Sequence, residues 1–120
     1  MNIKELAVKY SLNKIDFWEC HGSWILTHDA VTKIATIENI IINKVESIFQ
    51  SETSCRYLIT MSKNDKIIIS CGEASKSNCT SNYYGCMAEK RGIDRCVLKL
   101  INAYEYGIYS EVEADSFKKL

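Results

Sequence analysis

Proline is missing from all 120 residues of this chain, where average usage would place about six. Isoleucine is heavily used instead, so the gap points to a compositional bias of the source genome. Linkers, internal repeats and low-complexity segments are also missing, which leaves one domain over residues 1–120. A chain of this length buries roughly two-thirds of its unfolded surface. No apolar run reaches the ~20 residues of a membrane span. The first residues, with Lys4, Glu5 and Lys9, lack the apolar stretch of a secretory signal. The expectation is a cytosolic protein with no membrane contact.

Charge of one sign is lacking as well. Fifteen basic and fifteen acidic side chains cancel, which argues against a protein that coats duplex DNA, since that task calls for positive excess. The charge is unevenly spread, however. From Lys76 to Lys99 five cations (Lys76, Lys90, Arg91, Arg95, Lys99) face only Glu89 and Asp94. Any polyanion site is therefore local.

Six cysteines are present, but no C-x-x-C pair. Five of the six lie in strand-like or helix-like patterns, where free cysteine packs as a small hydrophobe. Reduced thiols are expected. Histidine is scarce too: His21 and His28 beside Cys20 make a partial metal set that nothing nearby completes. Nor does the sequence bring either histidine to Cys86 or Cys96 for nucleophilic catalysis. No metal, no cofactor and no enzymatic activity are expected.

The patterns that are present specify an α+β fold. Residues 3–12 read as a short helix with Ile3, Leu6, Ala7 and Tyr10 on one face. A hairpin follows, 15–20 and 24–26 around His21-Gly22-Ser23. Thr27 then caps a helix with Asp29 in its first turn and Val31, Ile34 and Ala35 buried. The runs 40–49, 55–62 and 66–71 read as a three-stranded antiparallel meander, turning at Lys63-Asn64-Asp65-Lys66 and ended by Gly72. After a polar loop over 73–82, Cys86, Ile93, Val97, Leu100, Ile101 and Tyr104 trace one long helix that packs the meander, with Gly107 past its end. Ser110-x-x-Glu113 reads as a capping box opening a last helix over 111–119.

The stretch from Gly72 to Leu100 carries the strongest functional pattern. Arg91, Arg95 and Lys99 recur every four residues, a basic stripe along one helix face that holds two of the three arginines. Arginine grips phosphate bidentately and tyrosines can stack on bases. This gives a candidate set of Arg91, Arg95 and Lys99 with Tyr83 and Tyr84 at the helix start. Lys76 and Asn78 join it from the loop, and Arg56 from the hairpin. Trp18 and Trp24 offer further rings but are expected to be buried. The bland alternative is a solvated face, with Lys90 paired to Asp94 four residues on. The loop GEASKS is not a phosphate loop, because it lacks the second glycine before Lys76 and follows an antiparallel sheet.

Residues 24–117, including WILTHDAVTKIA, GEASKSNCTSNYYGCMAEKRGIDRCVLKL and GIYSEVEADSF, resemble a family of small phage and prophage proteins. The element order is similar to the β-β-β-α core of single-strand DNA annealing proteins. The resemblance implies a non-enzymatic protein of a bacterial host's cytoplasm, assembling as a homo-oligomer. It would hold single-stranded nucleic acid on Arg91, Arg95, Lys99, Arg56 and Lys76. The alternative is a phage counter-defence protein that sequesters a phosphate-bearing nucleotide signal or blocks a host defence protein. A third possibility is a plain interaction adaptor.

Overall fold

A computed structural model describes residues 2–79 and 82–113. Asn2 caps α1 (Ile3–Lys9), its side chain accepting from the Glu5 amide at 2.9 Å. The helix is shorter than the pattern over 3–12 suggests, because Ser11 turns into the left-handed region at φ +54°. After a 3-10 turn (Lys14–Asp16), β1 (Phe17–Cys20) and β2 (Ser23–Leu26) form a hairpin. His21 and Gly22 both have positive φ, as a tight two-residue turn requires. Thr27 caps α2 (His28–Ile37) by accepting from the Ala30 amide at 3.1 Å.

The meander follows as β3 (Ile41–Gln50), β4 (Ser54–Lys63) and β5 (Lys66–Ser75), antiparallel throughout. Gly72 does not end it. β5 runs three residues further, pairing Gly72 with Tyr57 and Ala74 with Cys55. Next come α3 (Tyr84–Leu100), a 3-10 turn (Ala103–Tyr106) and β6 (Ile108–Ser110), which lies parallel to β2. The 104 end expected for the long helix is cut back to Leu100 by Asn102 at φ +60°. The helix expected over 111–119 falls mostly outside the described residues. Of its capping box, the Glu113 carboxylate does accept from the Ser110 amide at 2.8 Å.

The fold is thus α+β, with α3 packed across β4 and β5 on one face of the meander. That packing is unusually close. Ala88, Gly92 and Cys96 recur every four residues on α3 and leave a flat seam. Gly72 sits directly beneath it: a Cβ there would lie 1.9 Å from the Ala88 carbonyl oxygen and 2.5 Å from the Gly92 nitrogen. Backbone touches backbone, which accounts for a glycine inside a strand and another inside a helix. Cys96 completes the seam by donating its thiol to the Ile59 carbonyl at 3.3 Å.

The main core lies beyond the seam, where Leu6, Tyr10, Leu26, Val31, Ile34, Met61, Val97, Leu98 and Ile108 converge from both sheets and all three helices. A smaller cluster of Cys55, Ala74, Cys79 and Ala88 closes the other end of α3. No disulfide joins any of the six cysteines; Cys20, Cys55, Cys79 and Cys96 are buried. Trp24 packs on the main core with Phe17 edge-on to it. Among the described residues no helix is long and apolar enough to cross a membrane.

Candidate interaction surface

The basic stripe of α3 faces the protein. β5 is an edge strand, and an edge leaves a row of backbone groups to be satisfied. Arg95 donates to the Cys71 carbonyl at 2.6 Å and pairs with Glu73 at 3.3 Å. Arg91 donates to the Glu73 carbonyl at 2.9 Å, and Lys99 reaches the Ser70 hydroxyl at 2.9 Å. Asn78 accepts from the Ser75 amide at 2.8 Å and so covers the next group along. Successive turns of the helix therefore seal the β5 edge.

Arg91 is the most committed of these. It is only 2% exposed, and burial of a guanidinium demands partners for its donors. Besides Glu73 it binds the Asn78 side chain at 2.9 Å, the Asn78 carbonyl at 2.7 Å, and the Val112 carbonyl through Nε. One side chain thus holds β5, the 76–79 loop and the segment after β6. The expected phosphate-binding role of this residue is corrected accordingly: its donors point into the protein. Arg95 likewise spends donors on the Cys71 carbonyl and Glu73, and the Asn78 side-chain oxygen is occupied in accepting from the Ser75 amide and Arg91. Lys99 keeps an exposed stem.

The expected Lys90–Asp94 pair is replaced by something else. Asp94 is fully buried and turns inward, where its two oxygens take the His28 Nδ1 at 2.7 Å and the Ser110 hydroxyl. Burial pushes the Asp94 carboxyl up, opposed by His28 and Ser110. His28 is raised above its usual 6.5, chiefly by that hydrogen bond, against the opposing effect of burial. Glu111 accepts from the His28 amide at 3.0 Å, so the start of α2 and the end of β6 are locked together.

A measurable pH dependence follows. A raised folded-state value stabilises fully below pH 6.5 and loses that contribution as pH climbs through the raised value. At pH 6, His28→Ala is expected to cost about 2 kcal/mol, the scale of a hydrogen bond to a charged group. Urea unfolding at stepwise higher pH should show the gap between the two proteins shrinking. A gap that widens with pH would contradict the charged pair. Among the described residues no three His, Cys, Asp or Glu side chains gather as a metal site.

What the fold leaves open is the other face of the meander. Alternation along the strands turns Ile41, Lys44, Glu46 and Phe49 of β3 away from α3. Arg56, Leu58, Thr60 and Ser62 of β4 join them, as do Ile67, Ile69, Cys71 and Glu73 of β5. No element covers this side among the described residues. Ile41, Phe49, Ile67 and Ile69 are between 51 and 65% exposed. The charges among them are mixed in sign, and Lys44 pairs with Glu46 at 2.8 Å.

No protein-family model matches the chain, and comparison with curated proteins and with solved structures gave no match.

The remaining candidates collect at one end of this sheet. Arg56 is exposed opposite Phe49, and the Lys76 amide bonds Thr53 at the start of β4. Lys76 itself is exposed, and Tyr83, at the start of α3, is 75% exposed. Tyr84 instead leans on the cluster of Cys55, Ala74 and Ala88. The pattern reading overlooked the uncovered face altogether. Its signal was available: Ile67 and Ile69 alternate with Ile68, so both sides of β5 are apolar in sequence.

Proposed function

We propose that this is a non-enzymatic binding protein that recognises another protein through the uncovered face of the β3–β4–β5 sheet. One observation carries the reading: four large apolar side chains stand half or more exposed on a single sheet face, among charges of both signs. Contiguous exposed apolar surface of this kind marks interaction sites. Interspersed opposite charges suit a protein partner better than a polyanion. Blocking a host defence protein is one form such recognition would take.

The test uses Ile67→Glu with Ile69→Glu, two outward positions whose loss leaves the core intact. Immobilised wild-type chain is expected to retain a specific protein from bacterial lysate. The double variant, melting within a few degrees of wild type, should not. Calorimetry with the purified retained protein should then give at least a hundredfold weaker binding for the variant. Equal retention by both chains overturns the reading.

A second reading keeps single-stranded nucleic acid or a phosphate-bearing nucleotide as the ligand. It is favoured by Arg56 beside Phe49 on the uncovered face, with exposed Lys76 held near the start of β4. It requires salt-dependent binding of a labelled single strand, weakened by Arg56→Ala with Lys76→Ala. Absence of binding at low salt removes it.

A further inference from the structure

The two edges of the meander are treated differently. The β5 edge is sealed by Arg91, Arg95 and Asn78. Among the described residues nothing covers β3: nine of its ten residues are exposed and the tenth is half-buried. Yet β3 is apolar on both faces, with Ile41 and Phe49 outward and Ile42 and Val45 on the helix side. Half of the residues on each face are apolar, and the row of N–H and C=O groups along the open edge is a template for pairing with a further strand.

The composition also says which strand. Read from Ile41 to Phe49, IINKVESIF is self-complementary about Val45. Laid antiparallel on a second copy with Val45 opposite Val45, it sets Lys44 against Glu46 and Glu46 against Lys44. Asn43 then meets Ser47, Ile42 meets Ile48, and Ile41 meets Phe49. A two-fold interface must be self-complementary in this way.

Backbone polarity agrees. The Ser51 amide bonds the Ser54 carbonyl, and the β3–β4 register then pairs Glu46 with Leu58 and Lys44 with Thr60 on the hydrogen-bonded sites. Val45 and Ser47 therefore turn their N–H and C=O groups to the free side. The register shifts at Asn43 and Ile48 distort the strand near both ends. They confine regular pairing to residues 44–47 around Val45, and the Ile42–Ile48 and Ile41–Phe49 matches are side-chain contacts beyond the paired segment, since bulges blunt an edge.

We infer that two copies of this chain join through β3, antiparallel about Val45, into a continuous six-stranded sheet. The two-fold axis runs perpendicular to the sheet, so both α3 helices lie on one side and both uncovered faces on the other. Three ten-residue strands offer a face of roughly 33 by 14 Å, about half of the ~800 Å² a standard interface takes from each partner. Six strands reach that size. The dimer stands independently of what the face recognises.

Native mass spectrometry and light scattering on the full chain test it. The wild type is expected to be a dimer at micromolar concentration. Lys44→Glu or Glu46→Lys alone should raise the dimer dissociation constant about tenfold, because the axis makes each reversal count twice. The swap of both, K44E with E46K, should restore it. Val45→Pro removes the central amide donor and should give monomer. A wild type that stays monomeric across the micromolar range overturns the dimer, as does a double swap no better than the single reversals. Circular dichroism melts of the charge variants control for folding. A dimer that retains no protein partner counts against the recognition reading alone, and a monomer that retains one counts against the dimer alone.

Discussion

Alanine at position 72 is expected to be among the most damaging substitutions this protein can receive, though it adds a single methyl group. The Cβ would sit 1.9 Å from the Ala88 carbonyl oxygen and 2.9 Å from the Gly92 Cα. Both are backbone atoms, so no side chain can swing aside. Relief requires α3 to lift off β5, opening the seam and loosening Arg91, Arg95 and Lys99 from the sheet edge. Overpacking of this kind costs about 3 kcal/mol or more when the neighbour cannot yield. In a domain of this size that lowers the melting temperature by more than ~10 °C. Gly85→Ala is the control. Its Cβ meets only the Tyr57 hydroxyl at 3.5 Å, so replacing a helical glycine should stabilise by up to ~1 kcal/mol. Comparable melting of both variants would mean that helix and strand do not touch as described.

Arg91→Met should cost as much by a different route. Methionine fills much of the volume but leaves the carbonyls of Glu73, Asn78 and Val112 without the donors that now reach them. Each buried orphan costs about 1–3 kcal/mol, so a loss of about 3–5 kcal/mol in urea unfolding is expected. Arg91→Lys should recover little, because an ammonium cannot span acceptors in three segments as the planar fork does. Limited proteolysis gives a local readout. Cleavage within 76–79 and just after Ser110 should appear in the variant before global unfolding. A variant within 1 kcal/mol of wild type would show that the arginine is not the clasp described here.

Much of this fold is legible in the sequence, because its periods are clean. Alternation and β-branched residues mark the meander, and the Lys63–Lys66 turn is placed correctly. α3 declares itself through a long apolar stripe. The failures share one physical cause, the satisfaction of groups far apart in sequence. A row of cations looks like an invitation to phosphate, but open strand carbonyls attract it just as well. The clue lay one residue along. Gly92 and Cys96 follow Arg91 and Arg95 directly, so the stripe adjoins the tightest-packed face of the helix and does not oppose it. Gly72 was ambiguous for a similar reason, since glycine marks both chain breaks and close approaches. The His28–Asp94 pair spans 66 positions, and no local pattern announces it. The uncovered face was spelled out in Ile67 and Ile69, but knowing that nothing lies over them needs the tertiary arrangement.

The smallest strand carries a consequence for how the chain is made. β6 lies beside β2, joining Trp24 to Ile108 and Leu26 to Ser110, a closure over more than eighty positions. Closing so long a loop from a disordered chain is entropically costly and slow. The intervening meander and α3 shorten that search once they have formed, because they bring the two ends together. During synthesis, the β1–β2 hairpin would leave the ribosome well before β6 and remain without its third strand until β6 arrived. Its inner residues Ile25 and Leu26, fully buried in the finished protein, would be bare for that interval. The three residues of β6 therefore set the moment at which the β1–β2 hairpin becomes safe from aggregation.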